Sequence, residues 1–316
     1  MRDLVDRPAR PGERPERSTD PVRPSTLESA VVEAVAYADV FDWPLTAAEI
    51  HRYLPVPAAR HEIDRVLAGS LLLGRALGGR HGFITLAGRD GLGEVRLRAE
   101  ARSRELWPGA IRYGRVLAAL PFVRMVAVTG SLAIDAAHDV ADVDFMVVTD
   151  DGRVWLTRAM AMGVVRAARL GGLRLCPNYL LAESAVRIDD RTLFTAHELV
   201  QMVPIIPSTT YDDLLRQNDW YHAFLPNARP RSPRCPGGAR PAANALRRLA
   251  EPALRSRLAD RIEGWEMRRK IRRLSAESRS SETRYDAAHC KGHADEHGRR
   301  ALAAFDLRVH RIAEVT

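Results

Sequence analysis

The pattern of apolar and polar positions predicts an N-terminal module of three helices and a hairpin. Apolar residues recur at helical spacing over residues 27–38 and 57–72, and a capping box opens another helix over residues 46–54. Residues 75–89 alternate around a GlyGly turn, as the two strands of a β-hairpin do. We therefore expect a winged-helix-like module over residues 27–92.

The next part of the pattern mixes helices with short apolar strands. Residues 93–120 predict connecting helices that are broken near Pro108. Two β-rich apolar runs then lead into an amphipathic helix, followed by one strand or a hairpin over residues 173–188 and a helix over residues 192–203. We expect these elements to form an α/β core, a small mixed sheet with helices packed on it, over residues 121–226.

The two ends of the chain have a different composition. Residues 1–26 mix arginine, proline and acidic residues without periodic apolar positions, and they predict a disordered tail. Residues 227–244 are rich in proline, arginine and glycine and predict a flexible linker. A long basic helix to about residue 275 and a last helix over residues 293–313 follow, so residues 245–316 are expected to form a basic helical region.

The net charge of +8 belongs to the C-terminal third of the chain. Residues 226–316 contain 21 Lys and Arg against 11 Asp and Glu, so the remainder is close to neutral. Arginines such as Arg268, Arg269, Arg272 and Arg273 favour phosphate or carboxylate partners. Solvated helix faces are the alternative explanation of the same pattern.

Length and composition predict a soluble, cytoplasmic protein with a sizeable core. The 316 residues are 46% hydrophobic, yet no apolar run reaches the length of about 18 residues that a membrane-spanning helix needs. The N-terminal segment lacks the apolar centre of a signal peptide. Cys176, Cys235 and Cys290 are widely separated, which predicts free thiols in a reducing compartment.

Candidate chemistry is concentrated where one strand ends in Gly130 and Ser131 and the next carries Asp142 and Asp144. Residues two apart in a strand project from the same face, so the two carboxylates would point together. Mg²⁺ (or Mn²⁺) takes one or two such carboxylates together with substrate phosphates. The glycine lets a phosphate approach the backbone, and the serine hydroxyl adds a donor. The stretch therefore predicts a metal and phosphate site, with two solvated strand-end carboxylates as the alternative.

A GlySer turn followed after about ten residues by an Asp-x-Asp strand resembles the signature of the nucleotidyltransferase superfamily. Further segments are similar to a bacterial family of nucleotidyltransferase-domain proteins and extend the resemblance over most of the chain from about residue 30: YADVFDWPLT at Tyr37, CPNYLLAE at Cys176, TAHELVQMVP at Thr195, WYHAFLPN at Trp220 and CKGHADEHG at Cys290. The resemblance implies a polymerase-β-like mixed-sheet core with an N-terminal winged-helix-like module and a C-terminal helical region. It also implies the metal and nucleotide site, and no particular acceptor.

The resemblance further implies a third carboxylate on a neighbouring strand, and here the chain departs from the family's pattern. That strand carries Asn178 where an acid is expected, and Glu183 stands at its end. Asp189 and Asp190 lie in the following turn. Glu183 is our first choice for the third catalytic acid. If no acid converges on the Asp-x-Asp pair, one metal would be lost and the protein would bind a nucleotide without turning it over.

Additional positive charge for the phosphates is expected after the Asp-x-Asp strand. Arg153 and Arg158 lie at the start of the predicted helix that follows it and are candidates for contacting the nucleotide. Alternatively, either arginine simply pairs with Asp150 or Asp151.

Two further groups of side chains are candidates for function. Cys290, His293 and His297 have a spacing that could hold zinc. The alternatives are phosphate or acceptor contact by the LysGlyHis segment and, as the more common case, a helix-capping role. A set of aromatic and polar residues either lines an acceptor pocket or packs in the core: Asn178, Tyr179, His197, Trp220 and His222.

Three classes of function follow from these observations. The first is a metal-dependent transferase that moves a nucleoside monophosphate from a nucleoside triphosphate, such as ATP, to the hydroxyl of an unidentified acceptor, for which the basic C-terminal third favours an anionic compound or a nucleic-acid end. The second is a nucleotide-sensing or DNA-associated regulator, and the third a catalytically silent scaffold. The predicted third helix has no strong basic face, so we expect the N-terminal module to pack on the core and to contribute little DNA affinity. Removal of the chain after Asn227 is expected to spare nucleotide binding and abolish transfer.

Overall fold

The protein is a mixed α/β structure built around a six-stranded mixed sheet. A computed structural model describes residues 27–138, 142–237, 241–277, 283–292 and 296–315. The predicted disordered tail, residues 1–26, lies outside the described residues. Within the described part of the chain, no helix is long and apolar enough to cross a membrane.

Four helices and a hairpin form the N-terminal module: α1 (Leu27–Asp39), α2 (Ala47–Tyr53), α3 (Arg60–Gly69), α4 (Leu71–Ala76), β1 (Leu77–Arg80) and β2 (Phe83–Leu86). The predicted capping box is present, because the Glu49 amide donates to Thr46 Oγ1 over 3.2 Å and the Thr46 amide donates to the Glu49 carboxylate over 2.8 Å. The single third helix predicted over residues 57–72 is wrong. Ser70 divides it, since its hydroxyl accepts from the Leu73 amide over 3.2 Å and starts a new helix.

The hairpin is present, but its turn is not the predicted GlyGly pair. Arg80 pairs with Phe83, so His81 and Gly82 form the turn, with φ angles of 59° and 80°. Gly79 lies in β1, where an added Cβ would be 2.2 Å from the Phe83 carbonyl oxygen. The glycine is therefore needed for the close approach of the strands and not for the turn.

A long helix, α5 (Leu92–Ala118), connects the module to the sheet. The predicted break at Pro108 is wrong, because α5 continues through it. A proline inside a helix costs about 3 kcal/mol. The burial of Trp107, Ala110 and Leu117 against the sheet offsets that cost.

The sheet has the strand order β6-β3-β4-β5-β8-β7, in which only the β4 and β5 pair is parallel. The elements of the core are, in chain order, β3 (Val123–Thr129), α6 (Gly130–Ala133), β4 (Val143–Thr149), α7 (Val154–Leu170), β5 (Leu175–Ala182), α8 (Leu193–Gln201), β6 (Val203–Pro204) and α9 (Thr209–Gln217), with short 3₁₀ turns at Glu183–Ala185 and Asp219–Ala223. Residues 173–188 thus give one strand and not a hairpin. The proline of β6 lies on an edge strand, where its missing amide costs least.

Alternate residues of the sheet face two separate hydrophobic clusters. On one face, here called the α1 face, Met125, Met146 and Leu181 pack with residues of α1 and α8. On the other, called the α7 face, Val126 and Phe145 pack with α5 and α7. The N-terminal module therefore packs on the core, as the sequence predicts, and shares one hydrophobic cluster with the α1 face.

The C-terminal part of the chain adds two strands to the sheet, which the sequence pattern did not predict. Its elements are α10 (Pro241–Leu254), α11 (Arg257–Glu277), β7 (Arg284–Tyr285), β8 (His289–Lys291) and α12 (His297–Val315). β8 pairs with β5 in antiparallel register, and α11 packs along α7. The predicted continuous basic helix is wrong, because it is divided between α10 and α11, where Ser256 Oγ accepts from the Ala259 amide over 3.3 Å.

Arg96 of α5 fastens the N-terminal module to the rest of the protein. Its side chain is 7% exposed and its guanidinium donates to both carboxylate oxygens of Glu49, over 2.7 and 2.9 Å, and to Glu100 over 2.8 Å. The same group lies 4.6 Å from the ring centre of Trp43 and 4.5 Å from that of Phe83. These contacts require a planar guanidinium that stacks on the aromatic rings and donates hydrogen bonds to the carboxylates at the same time.

Replacing Arg96 by Met should therefore lower the free energy of unfolding by about 3–5 kcal/mol, since it leaves carboxylates without their partner in a buried site. Urea unfolding of the wild type, Arg96→Met and Arg96→Lys measures the effect. The lysine variant keeps the charge and loses the fork, so we expect an intermediate loss. A change below about 1 kcal/mol in the methionine variant would contradict this role.

Candidate functional site

The GlySer turn lies directly beside Asp144. β3 and β4 are antiparallel, and Thr129 at the end of β3 pairs with Asp144 near the start of β4. Gly130 follows with φ of 65°, and a Cβ at this position would be 2.5 Å from Asp144 Oδ2. Only glycine combines this backbone conformation with so close an approach to the carboxylate. The predicted proximity of the turn and the Asp-x-Asp strand is therefore present.

Asp144 is a carboxylate in an environment that disfavours its charge. Burial, followed by the negative charges of Glu198 and Asp142, raises the pKa of Asp144 to about 7, while a hydrogen bond with Cys176 acts in the opposite direction. Asn178 donates from Nδ2 to Asp144 Oδ1 over 3.0 Å and orients the group. A cation bound beside this carboxylate would relieve the repulsion from its neighbours.

Asp142 lies just before β4, and its surroundings differ from those of Asp144. Its carboxylate lies 2.8 Å from Arg174 Nε, and its side chain is 35% exposed. It does not line the cavity that Asp144 borders. The two carboxylates thus interact electrostatically, but the structure brings only Asp144 into contact with the GlySer turn.

Asp144 borders a cavity of about 620 Å³ between the α1 face of the sheet, α1, α8, β8 and α12. Its polar wall includes Gly130, Ser131, Asp144, Asn178, Glu198 and Lys291. Its apolar wall includes Tyr37, Phe41, Trp43, Tyr53, Met146 and Met202. We call this space the site cavity. A volume of this size is typical of small-molecule sites.

Glu198 is another carboxylate of the site cavity, and sequence reasoning assigned no role to it. It lies on α8, and its negative charge raises the pKa values of Asp144, Tyr37 and Tyr179. One carboxylate that acts on all three groups lies between the sheet and α1. The sequence signal for this residue lies in the segment TAHELVQM. Glu198 stands there in a helix and is followed by two buried residues, Leu199 and Val200. The pattern alone did not show which strand the helix covers.

Glu183, the first choice for the third acid, lies elsewhere. It begins the 3₁₀ turn after β5, and its carboxylate accepts from Thr210 Oγ1 over 2.7 Å. It does not line the site cavity. Of the two aspartates in the following turn, Asp190 lines the cavity, whereas Asp189 lies 3.6 Å from Arg284.

The two arginines predicted to contact phosphates lie on the opposite side of the sheet. Arg153 is at the N-terminus of α7, where its Nη2 donates to Asp260 over 2.7 Å. Arg158, further along α7, lowers the pKa of the Cys290 thiol, although burial raises that pKa overall. α7 packs on the α7 face, and neither arginine lines the site cavity.

The aromatic and polar group predicted around the acceptor pocket is divided. Asn178, Tyr179 and His197 line the site cavity, and Trp220 and His222 do not. His197 stacks on Tyr37 with ring centres 4.0 Å apart. Burial, aided by the charge of Arg52, lowers the pKa of His197 to about 3. His197 is therefore a neutral imidazole at physiological pH and packs as an aromatic wall.

The predicted zinc ligands occupy different environments. Cys290 is buried in β8 opposite Leu180. His297 lines the site cavity, and His293 lies outside the described residues. Within the described ranges, no group of three or more His, Cys, Asp or Glu side chains has an arrangement that could hold a metal ion.

Comparison of the chain with protein-family models, with curated proteins and with solved structures finds no match.

The polar wall of the site cavity has the ligand types that Mg²⁺ uses when it binds together with a nucleotide. Mg²⁺ is commonly held by one or two carboxylates, with substrate phosphates and waters completing its coordination. Asp144 and Glu198 supply two carboxylates in one cavity, and burial, followed by the charge of Glu198, raises the pKa of Asp144. The absence of a Cβ at Gly130 lets the Asp144 carboxylate lie directly against the backbone of the GlySer turn. The residues present therefore fit a divalent ion that arrives with a phosphate.

Proposed function

We propose that this protein is a metal-dependent nucleotidyltransferase that moves a nucleoside monophosphate from a nucleoside triphosphate to an acceptor hydroxyl. The observation that carries the proposal is the Gly130 turn beside Asp144, in a cavity that also contains Glu198. A mixed sheet whose GlySer turn and Asp-x-Asp strand are antiparallel neighbours fits a polymerase-β-like core. The helices and hairpin before it fit a winged-helix-like module.

Asp144 and Glu198 would hold Mg²⁺ or Mn²⁺, with Asp142 adding a nearby negative charge, and the ion would neutralise the phosphates and acidify the acceptor hydroxyl. Ser131 and the backbone of the GlySer turn would contact phosphate oxygens. A hydroxyl bound between Asp144 and Glu198 would lose its proton to a carboxylate. Its oxygen would attack the α-phosphorus in line, and pyrophosphate would leave.

No contact on α3 favours the DNA-associated regulator that the sequence left open. Recognition helices usually present basic side chains to DNA phosphates. On α3, Arg60 lies 3.1 Å from Asp64, and Glu62 adds a further negative charge. The transferase therefore remains the better supported proposal.

The pH dependence of Mg²⁺-dependent ATP binding tests the proposal. Because a carboxylate must be deprotonated to bind metal and the pKa of Asp144 is about 7, affinity should rise about tenfold per pH unit below pH 7 and level off above it. Calorimetric titration with a nonhydrolysable ATP analogue, with and without Mg²⁺, measures this profile. Absence of any Mg²⁺-dependent binding across ribonucleoside and deoxyribonucleoside triphosphates would overturn the proposal.

Two variants separate the titration of Asp144 from that of the nucleotide's own phosphate. Glu198→Gln removes a proposed metal ligand, so Mg²⁺-dependent binding should be weaker. It also removes a charge that raises the pKa of Asp144, so the midpoint of the remaining pH profile should move to lower pH. Glu183→Gln changes an acid outside the site cavity and should keep the wild-type midpoint. Identical midpoints in all three proteins would show that only the ligand titrates.

A further inference from the structure

The chain contains only two lysines, Lys270 and Lys291, among its 48 basic residues. Lys270 lies on α11, away from the site cavity. Lys291 lies at the end of β8 and lines the site cavity together with the GlySer turn and Asp144. Among the described lining residues, it is the only lysine or arginine.

Strand pairing fixes the position of Lys291 relative to the metal site. Lys291 pairs with Tyr179 of β5, and Tyr179 pairs with Met146 of β4. Residues paired across a sheet point to the same face, so Lys291 is on the face that carries Asp144. Two strand spacings, roughly 10 Å, separate its backbone from that of Met146. The lysine side chain and a bound polyphosphate together are long enough to span this distance.

Two contacts hold the end of β8 in this place. The Gly292 amide donates to the Asn178 carbonyl over 3.0 Å, and Asn178 itself donates to Asp144. Lys291 Nζ lies 5.5 Å from the ring centre of Tyr179. Asn178 therefore links the end of β8, which carries Lys291, to Asp144, the candidate metal ligand.

The charge of the site cavity requires such a cation if a triphosphate binds there. A triphosphate adds several negative charges to a cavity that five acidic residues already line: Asp42, Glu49, Asp144, Asp190 and Glu198. A divalent ion beside Asp144 would neutralise only part of this charge. A lysine ammonium is a compact point charge that binds phosphate without the planar geometry an arginine imposes.

We propose that Lys291 binds the β- and γ-phosphates of the donor nucleotide, so that the C-terminal strand selects for a polyphosphate. This assignment rests on the proposed function. It replaces Arg153 and Arg158 as the source of positive charge for the phosphates.

Calorimetry on the full-length protein at pH 8 with Mg²⁺ and ATP, ADP or AMP tests the assignment. Charge-assisted hydrogen bonds of this kind correspond to about tenfold to a hundredfold in affinity. Lys291→Met should lower ATP affinity by that amount and AMP affinity less than about threefold. Lys291→Arg should recover part of the loss, and Lys270→Met, the matched control, should bind ATP as the wild type does. Equal losses for ATP and AMP, or no loss for ATP, would overturn the assignment.

Chemical labelling provides a second measurement that does not depend on how the variants fold. An amine-reactive acylating reagent followed by mass spectrometry compares Lys291 and Lys270 in the wild type. Mg²⁺ with ATP should slow acylation of Lys291 at least fivefold, as expected for a phosphate contact of the strength above, and leave Lys270 unchanged. Unprotected Lys291 in a protein that binds ATP would overturn this assignment alone. Failure of the wild type to bind any triphosphate would overturn the proposed function as well.

Discussion

Replacing Asp144 by Asn should abolish Mg²⁺-dependent nucleotide binding and, at the same time, stabilise the ligand-free protein above pH 7. Burial and the charges of Glu198 and Asp142 raise the pKa of Asp144 to about 7, from 3.8 in the unfolded chain. Between these two values the folded state holds a proton more tightly than the unfolded state, so stability falls as pH rises. Asparagine removes this cost and still accepts the hydrogen bond from Asn178. Sites that bind charged ligands often lose stability in this way.

The expected loss of Mg²⁺-dependent ATP affinity is about a hundredfold or more, since a half-buried carboxylate ligand would be removed. The gain in unfolding free energy at pH 8 is on the order of a few kcal/mol and should vanish near pH 4. Thermal unfolding across this pH range, together with calorimetry, checks both effects. Asp142→Asn is the matched control, and because its carboxylate pairs with Arg174 outside the cavity, we expect a smaller loss of affinity.

Unchanged ATP affinity in Asp144→Asn would exclude Asp144 from the metal site. A less stable variant at pH 8 would instead show that the ionised carboxylate of Asp144 stabilises the folded protein and is not kept at a cost to stability. ATP affinity should fall and unfolding free energy at pH 8 should rise in this variant only if the carboxylate is needed for binding and lowers the stability of the ligand-free protein.

The parts of the site that the sequence predicts are those encoded within one hairpin of the sheet. Gly130 and Asp144 are close in the chain, and the antiparallel pairing of β3 and β4 brings them together with little dependence on the rest of the fold. The same local logic predicts the Thr46 capping box, which involves residues three apart.

The remaining residues of the site depend on long-range packing, which the local pattern does not contain. Glu198 comes from a helix that covers the α1 face, and Lys291 from a strand of three residues too short to show alternation. Glu183 was favoured because it ends the strand beside Asp144, yet parallel pairing of β4 and β5 carries it to the far end of the sheet. Arg153 is displaced for the same reason, since it follows the far end of β4.

The C-terminal region belongs to the same folding unit as the core, which changes how its role can be tested. Removal of the chain after Asn227 was expected to spare nucleotide binding. It would also remove β8 from the sheet and α11 from α7. Such a truncation should therefore lose both stability and Lys291, and single substitutions are the better experiment.

Glu263→Ala should destabilise the whole protein by about 2–4 kcal/mol, because Glu263 of α11 caps a helix of the core. Its carboxylate accepts from the Trp155 amide over 2.9 Å and from the Leu156 amide, and it is 8% exposed. Arg153, the residue that precedes α7, offers no capping side-chain bond of its own. Loss of Glu263 would leave one buried and one half-buried amide at the start of α7 without this partner.

Glu266→Ala is the matched control for this substitution. Glu266 lies on the same helix and is 5% exposed, but it pairs with Arg269 three residues later, within α11 itself. Urea unfolding should therefore give a larger loss for Glu263→Ala than for Glu266→Ala, with tryptophan fluorescence and circular dichroism changing together. Equal small losses, or a separate early transition confined to helix content, would show that the C-terminal helices unfold independently. In that case the strand that carries Lys291 would be held to the sheet without help from α11.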